Sequence, residues 1–297
     1  MGPRSWAHWV NPTLIAGLAL VLLVIVSEWV LPVFVDTDQI AAGSGAPSVV
    51  PSFGPTPDLA AGFVEATPDH PLGTDGRGRD MLAVLAVGTP RTLKIGLIGA
   101  GLGTLIGVLL GFSAGYMRGR VDTVISTLAD TAMTIPGLAV LVVVASVVGE
   151  IGVVSMGLIM AAFAWPMPTR VLRSQVLTMR ERRYVVMARM SGSSTPGVMF
   201  KEIMPNLLPY LAASFTESVA GVILAVTSIE TLGLGSRRLP TLGTTVNNAL
   251  EGSAVFRGMW WWWLPPIFVL AVIFVGFLLL TNGLDQVANP RLRDESL

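Results

Sequence analysis

Cysteine is absent from the 297 residues, which excludes disulfides, zinc–thiolate centres and thiol nucleophiles. Histidine is nearly absent. Only His8 and His70 occur, so histidine-rich metal sites and proton relays are excluded too. Charge is scarce: Asp, Glu, Lys and Arg make up 13% of the chain. A soluble domain carries about 25%, so the composition argues against a soluble enzyme. The 19 basic and 19 acidic residues cancel, leaving no electrostatic footprint for nucleic acid. No G-x-x-x-x-G-K-[ST] loop is present, so ATP is not bound here through a P-loop. No repeat of 20–50 residues is evident.

What the chain has instead is apolar length. Hydrophobic residues make up 52% and the mean hydropathy is +0.69. A helix of about 20 apolar residues crosses a bilayer, because only there can every backbone polar group be satisfied internally. Six such runs are expected: about Thr13–Val35, Arg91–Tyr116, Val121–Val148, Val153–Leu172, Leu207–Leu232 and Leu264–Leu284. The first run is longer than the core of a cleaved signal peptide and reads as a retained anchor. Only Gly149–Gly152 separates the third and fourth runs, which predicts antiparallel neighbours. The fold class is therefore an all-α membrane protein with six transmembrane helices. Residues 1–85 read as an N-terminal helix plus extracytoplasmic segment. Residues 86–290 read as a membrane domain holding the other five spans, with a basic loop at about 173–206.

Basic residues orient such a bundle. With a cytoplasmic N-terminus, twelve Lys and Arg fall inside and seven outside, so both termini are expected in the cytoplasm. Asp36–His70, without Lys or Arg, then reads as an irregular outside loop. Trp260–Trp263 reads as an interfacial aromatic belt at the outer mouth of the sixth span.

Several residues invite a chemical reading. Gly111–Gly115 matches G-x-S-x-G, yet it lies within an apolar helix and neither histidine is near, so a hydrolase elbow is not expected. Gly99, Gly103, Gly107, Gly111 and Gly115 recur every fourth residue and predict a helix face that another backbone can approach closely. Glu28, Asp130, Glu217 and Glu230 lie in or beside apolar runs, where ionisable groups are functional candidates. For Glu230 two readings stand: a local ion pair with Arg237 or Arg238, or a group lining the outer part of a pathway.

Two hydrophilic blocks are more specific. His70–Leu82 is a glycine-rich turn with pairable charges and an amphipathic entry to the second span. Tyr184–Gly192, followed by Phe200–Asn206, reads as a short helix, a glycine break at Gly192, and a second short helix ending at Pro205. At these residues the chain resembles the inner-membrane permease subunits of binding-protein-dependent ABC importers, in particular the second permease of the dipeptide/oligopeptide/nickel type. The family's HPLGTDxxGRD is matched by His70–Asp80, its G-x-R by Gly88–Arg91, and its G-Y-x-x-G-x-x-D by Gly115-Tyr116 and Gly119–Asp122. Asp130 and Pro136 match its Asp-x5-Pro. Tyr184, Val185, Ala188, Arg189, Gly192, Ile203, Pro205 and Asn206 match its cytoplasmic loop. Leu232–Gly235 and Leu284–Arg293 match the two later motifs.

The resemblance implies a type I ABC importer permease fold and a chain with no catalytic residue, no metal and no cofactor of its own. It implies ATP and magnesium in partner subunits. The implied partners are a second homologous permease, two cytoplasmic ATPases, an extracytoplasmic solute-binding protein and the lipid bilayer. It places the chain in the cytoplasmic (inner) membrane. It also implies a coupling loop of Tyr184, Val186, Met187, Ala188, Arg189, Gly192, Ile203 and Pro205, and an outer motif of Gly73, Thr74, Asp75, Gly78, Arg79 and Asp80. The expected cargo is peptide, with nickel chelates, sugars or oligosaccharides as alternatives. A proton-coupled secondary transporter is the alternative from another class, and it leaves the cytoplasmic loop unexplained. Four departures stand out. Val186 and Met187 replace the loop's usual Glu and Ala, which shifts docking toward apolar contact. Thr127 replaces an Arg, so Asp130 is expected to lack its customary partner. Glu230-Thr231 replaces S-F, and Thr241-Leu242-Gly243 replaces S-W-G.

Overall fold

The computed structural model describes residues 11–55, 57, 62–148, 151–235 and 239–288. These residues are almost entirely helical, with two isolated β-bridges and no strand. Four helical segments are long and apolar enough to cross a bilayer: Pro12–Phe34, Met81–Met117, Thr195–Leu234 and Trp260–Val287.

The long helix α2 (Met81–Met117) is the hub. Its 37 residues span about 55 Å at 1.5 Å per residue. It starts ten residues earlier than the apolar run, because Asp80 caps it by accepting from the Ala83 amide at 2.7 Å. The glycine face lies along α5 (Val153–Ala164) and α6 (Pro166–Met179). A Cβ on Gly103 would fall 2.6 Å from the Ala164 Cβ, and one on Gly111 would fall 2.6 Å from the Thr169 carbonyl. Gly99 meets Met160 and Val222, and Gly115 meets Val176, equally closely. Backbones approach here because no side chain intervenes.

Two predicted spans are not single helices. The third breaks into α3 (Gly119–Thr134) and α4 (Gly137–Val148) at Ile135-Pro136. Ile135 is extended, as steric clash with the following proline ring requires. The fourth breaks into α5 and α6 at Trp165-Pro166 and runs on to Met179, so it kinks along α2. Of the predicted turn between α4 and α5, Gly149 and Glu150 lie outside the described residues. The two helices run antiparallel, but they part: Gly137 sits by Phe163, and a cavity of about 330 Å³ lies between Leu141 and Met160.

The last long helices are α9 (Met204–Ile229) and α11 (Trp260–Ala288). The first helix, α1 (Pro12–Phe34), crosses α11 at glycines. A Cβ on Gly17 would sit 2.9 Å from the Gly276 carbonyl, and one on Gly283 would sit 2.6 Å from the Leu14 Cα. Asn11 donates to Gln286, so the start of α1 and the end of α11 share one end of the bundle. Lys94 on α2 pairs with Glu28 on α1 at 3.1 Å, which accounts for one of the intramembrane carboxylates.

Candidate functional site

The bundle has two polar ends, at opposite ends of α2. At the first, the described residues between 36 and 80 fold back over the start of α2, irregular in path but held by specific hydrogen bonds. Thr74 Oγ1 accepts from the Val49 amide at 2.9 Å and donates to the Ala46 carbonyl at 2.6 Å. Asp75 accepts from the Arg77 and Arg79 amides and from Arg79 Nε, the last at 2.6 Å. His70 Nδ1 lies 3.0 Å from the Asp80 carboxylate that also caps α2. Gly73 and Gly78 have φ of +75° and +74°, a region glycine adopts without Cβ strain. All of Thr74, Asp75, Arg79 and Asp80 are buried. The outer motif is thus an internal brace.

The tryptophan run belongs to the same cap, not to an exposed belt. Trp261 and Trp262 are 0% and 2% exposed, packed with Val50, Met81, Ala249 and Met259. Trp261 Nε1 donates to the Thr74 carbonyl at 2.9 Å. Helix α10 (Leu242–Glu251) completes the cap, and Arg77 pairs with Glu251 at 3.5 Å. Replacing Asp80 with Ala removes the α2 cap and the partner of a buried imidazole together. We expect the purified chain to lose about 2 kcal/mol, read as a lower melting temperature in detergent. Asp80→Asn keeps a capping side chain and is expected to recover part of the loss.

Glu230 lies at this end of α9, in a π-type turn Glu230–Leu234 under α10. It is 2% exposed and accepts from Thr241 Oγ1 at 2.7 Å. Gly243 packs against its carboxylate, where any side chain would collide. Arg237 and Arg238, its expected ion-pair partners, lie outside the described residues. Among the described residues no basic group is within ion-pair distance of Glu230.

The opposite end is basic. Arg173 makes a bidentate pair with Asp122, Nη2 to Oδ2 at 2.9 Å, and so ties α6 to α3. Arg180 Nη1 donates to the Tyr116 carbonyl at 2.9 Å, capping the end of α2. Arg189 sits over the Tyr116 ring at 5.0 Å. Asp130 does have a partner: Arg170, at 3.7 Å, stands in for the Arg missing at Thr127. Sequence reasoning missed these pairs because their members lie far apart in the chain or on different helices.

Helix α7 (Arg183–Met190) projects from this end. Its apolar side is anchored: Val185 is fully buried with Val198, Ile203 and Leu207. Its other side is not. Tyr184, Val186, Met187, Arg189 and Met190 are exposed, Met190 at 85%, while Ala188 is half-buried. The helix ends in a Schellman turn: Ser193 N–H donates to the Ala188 carbonyl at 3.1 Å and Gly192 N–H to the Arg189 carbonyl at 3.0 Å. Gly192 takes φ +83°.

Beyond the turn, the second helix does not end at Pro205. The short helix α8 (Thr195–Gly197) passes through a π-type turn, Val198–Ile203, into α9. The wider π turn shifts the hydrogen-bond register just before the proline, with the Met204 amide donating to the Met199 carbonyl. Asn206 Nδ2 satisfies the Glu202 carbonyl at 2.7 Å. Pro205 is thereby accommodated in the first turn of α9, where no amide is needed.

The described residues thus form a helical bundle with a braced cap at one end and a basic, half-exposed helix–turn–helix at the other. The chain belongs to the family described as binding-protein-dependent transport system inner membrane component, which residues 107–294 match. That family has the type I ABC importer permease fold, and this chain is a multi-pass membrane protein of that fold. It is 30% identical over 226 residues to the oligopeptide transport system permease protein OppC of Lactococcus lactis subsp. cremoris, covering 76% of each chain. It is 28% identical to OppC of Bacillus subtilis, over 95% of this chain and 87% of that one. It is 27% identical to the dipeptide transport system permease protein DppC of Haemophilus influenzae, over 95% and 92%.

Proposed function

We propose that this chain is a membrane-spanning permease subunit of an ATP-driven peptide importer. It forms half of the translocation pathway and performs no covalent chemistry. The names of its relatives, oligopeptide and dipeptide transport permeases, support the cargo. The observation that carries the mechanism is the exposed face of α7 and its neighbour Phe200, standing on an element whose other face is locked into the bundle.

A cytoplasmic ATPase docks on that face. Tyr184, Val186, Met187, Arg189 and Met190 offer it apolar surface with one cation. Val185, and Ile203 in the π turn that precedes Pro205, transmit its movement to α9, because they are fully buried and not free to slide. ATP and magnesium act in two such ATPase subunits. Nucleotide binds the two states of the assembly with different affinity, and that difference shifts the population between inward and outward openings. A second homologous permease supplies the other half of the pathway. An extracytoplasmic solute-binding protein delivers peptide to the capped end. Glu230 serves as an outer gate group: it is closed off here by Thr241 and Gly243, and movement of α10 exposes it to the pathway.

Both termini are cytoplasmic in this reading, with the chain in the inner membrane. The absence of native cysteine makes the test clean. Cysteine at Met190 is expected to react with a membrane-impermeant thiol reagent only from the cytoplasmic side, and cysteine at Phe256, 94% exposed, only from outside. The reverse pattern overturns the orientation. The same preparation is expected to retain an ATPase subunit through purification.

A further inference from the structure

We propose that Glu217 is a cation-selecting group in the middle of the pathway, one that favours peptides bearing ammonium groups. The proposal rests on the permease reading above and names a specificity residue within it.

Asp122 pairs with Arg173, and three other carboxylates in or beside the spans also have partners. Glu28 pairs with Lys94, Asp130 with Arg170, and Glu230 accepts from Thr241. Glu217 differs. It lies near the middle of α9, is exposed, and has no Lys or Arg within ion-pair distance among the described residues. The far side of the same helix is apolar and fully buried, through Val219, Ile223 and Val226. The Glu217 side carries Ser214, Ser218 and Gly221, at the three- and four-residue spacings that share a face.

Glu217 also lines two cavities. One, about 330 Å³, lies between α9 and the α4–α5–α6 segment. The other, about 550 Å³, lies between α9 and α11 and includes Thr281, Asn282 and Asp285. Both volumes fall in the range of small-molecule sites, about 300–1,000 Å³. An ionised carboxylate is disfavoured against lipid tails, so this face of α9 looks into water or onto a polar group. An ionised carboxylate only accepts hydrogen bonds, and its strong partners are cationic N–H donors. The other charged residue lining these cavities is Asp285, of the same sign, so the local field favours cations.

The test uses the complete transporter in proteoliposomes, with binding protein and ATP. The probes are trilysine and trialanine. Glu217→Gln is expected to lower the trilysine-to-trialanine uptake ratio about tenfold, with trialanine uptake and assembly retained. Glu217→Asp is expected to keep most of the preference. A ratio within about twofold of the starting protein overturns the proposal. So does equal loss of both peptides, the signature of Glu217 pairing with a basic residue of the second subunit. As a second readout, Glu217→Cys is expected to be modified by a water-soluble cationic thiol reagent during ATP turnover, scored by the mass of this chain. An unreactive cysteine overturns the proposal. Failure of the underlying reading looks different: the unmodified protein would then take up neither peptide with ATP.

Discussion

Replacing Gly107 with Leu is expected to abolish assembly of the permease, with little of the chain recovered in a folded, detergent-soluble form. A Cβ there would already lie 2.6 Å from the Pro168 ring and 3.0 Å from both the Thr169 nitrogen and the Trp165 carbonyl. None of these can swing aside, since two are backbone and one is a closed ring. Overpacking a rigid contact costs about 1–3 kcal/mol, and here the contact is the seam on which α5 and α6 follow α2. Gly101, on the same helix, supplies the control. Nothing lies within 4 Å of its Cβ position, so Gly101→Leu is expected to assemble normally. Size-exclusion yield of the two variants checks the pair. Equal yields would mean that the glycine face does not carry the packing.

The second large effect is at Gly192. Its φ of +83° costs a β-branched residue about 1–2 kcal/mol, while the Cβ position itself is empty. The strain is therefore purely in the backbone, and it falls on the turn that aims α7. Gly192→Val is expected to assemble but to lose the stimulation of ATP hydrolysis by substrate-loaded binding protein, with transport reduced at least about tenfold. Gly192→Asn, which tolerates a left-handed backbone, is expected to keep most of both. Loss in the Asn variant equal to that in the Val variant would move the cause from conformation to contact.

These two glycines also show how much of the molecule is legible in the sequence. Spacing by fours announces a close helix contact, and the stretch around Gly192 announces a break, because both signals are local. Apolar length gives the four uninterrupted spans for the same reason. The remaining two are interrupted at Ile135-Pro136 and Trp165-Pro166, breaks that apolar length alone does not announce. Pro205 misleads in the opposite direction. A proline next to a π-type turn need not end a helix, and no local pattern announces that turn.

The candidate site is legible only in outline. The HPLGTDxxGRD block is visible as a motif, but its brace depends on Val49, Ala46 and Trp261, which are far away in sequence. The tryptophans look interfacial by composition; Val50, Met81, Ala249 and Ala254 help bury Trp261 and Trp262. The Arg173–Asp122 and Arg180–Tyr116 links join helices that only the fold brings together.

The central claim is that this chain is the pathway half of an ATP-driven importer, and vectorial uptake measures that directly. The permease pair, its ATPases and its binding protein are reconstituted in proteoliposomes, and a labelled peptide is added on the capped side. The account predicts peptide accumulation that requires ATP on the α7 side and is unaffected by collapsing the proton gradient. Accumulation without ATP, driven by a proton gradient alone, would contradict it.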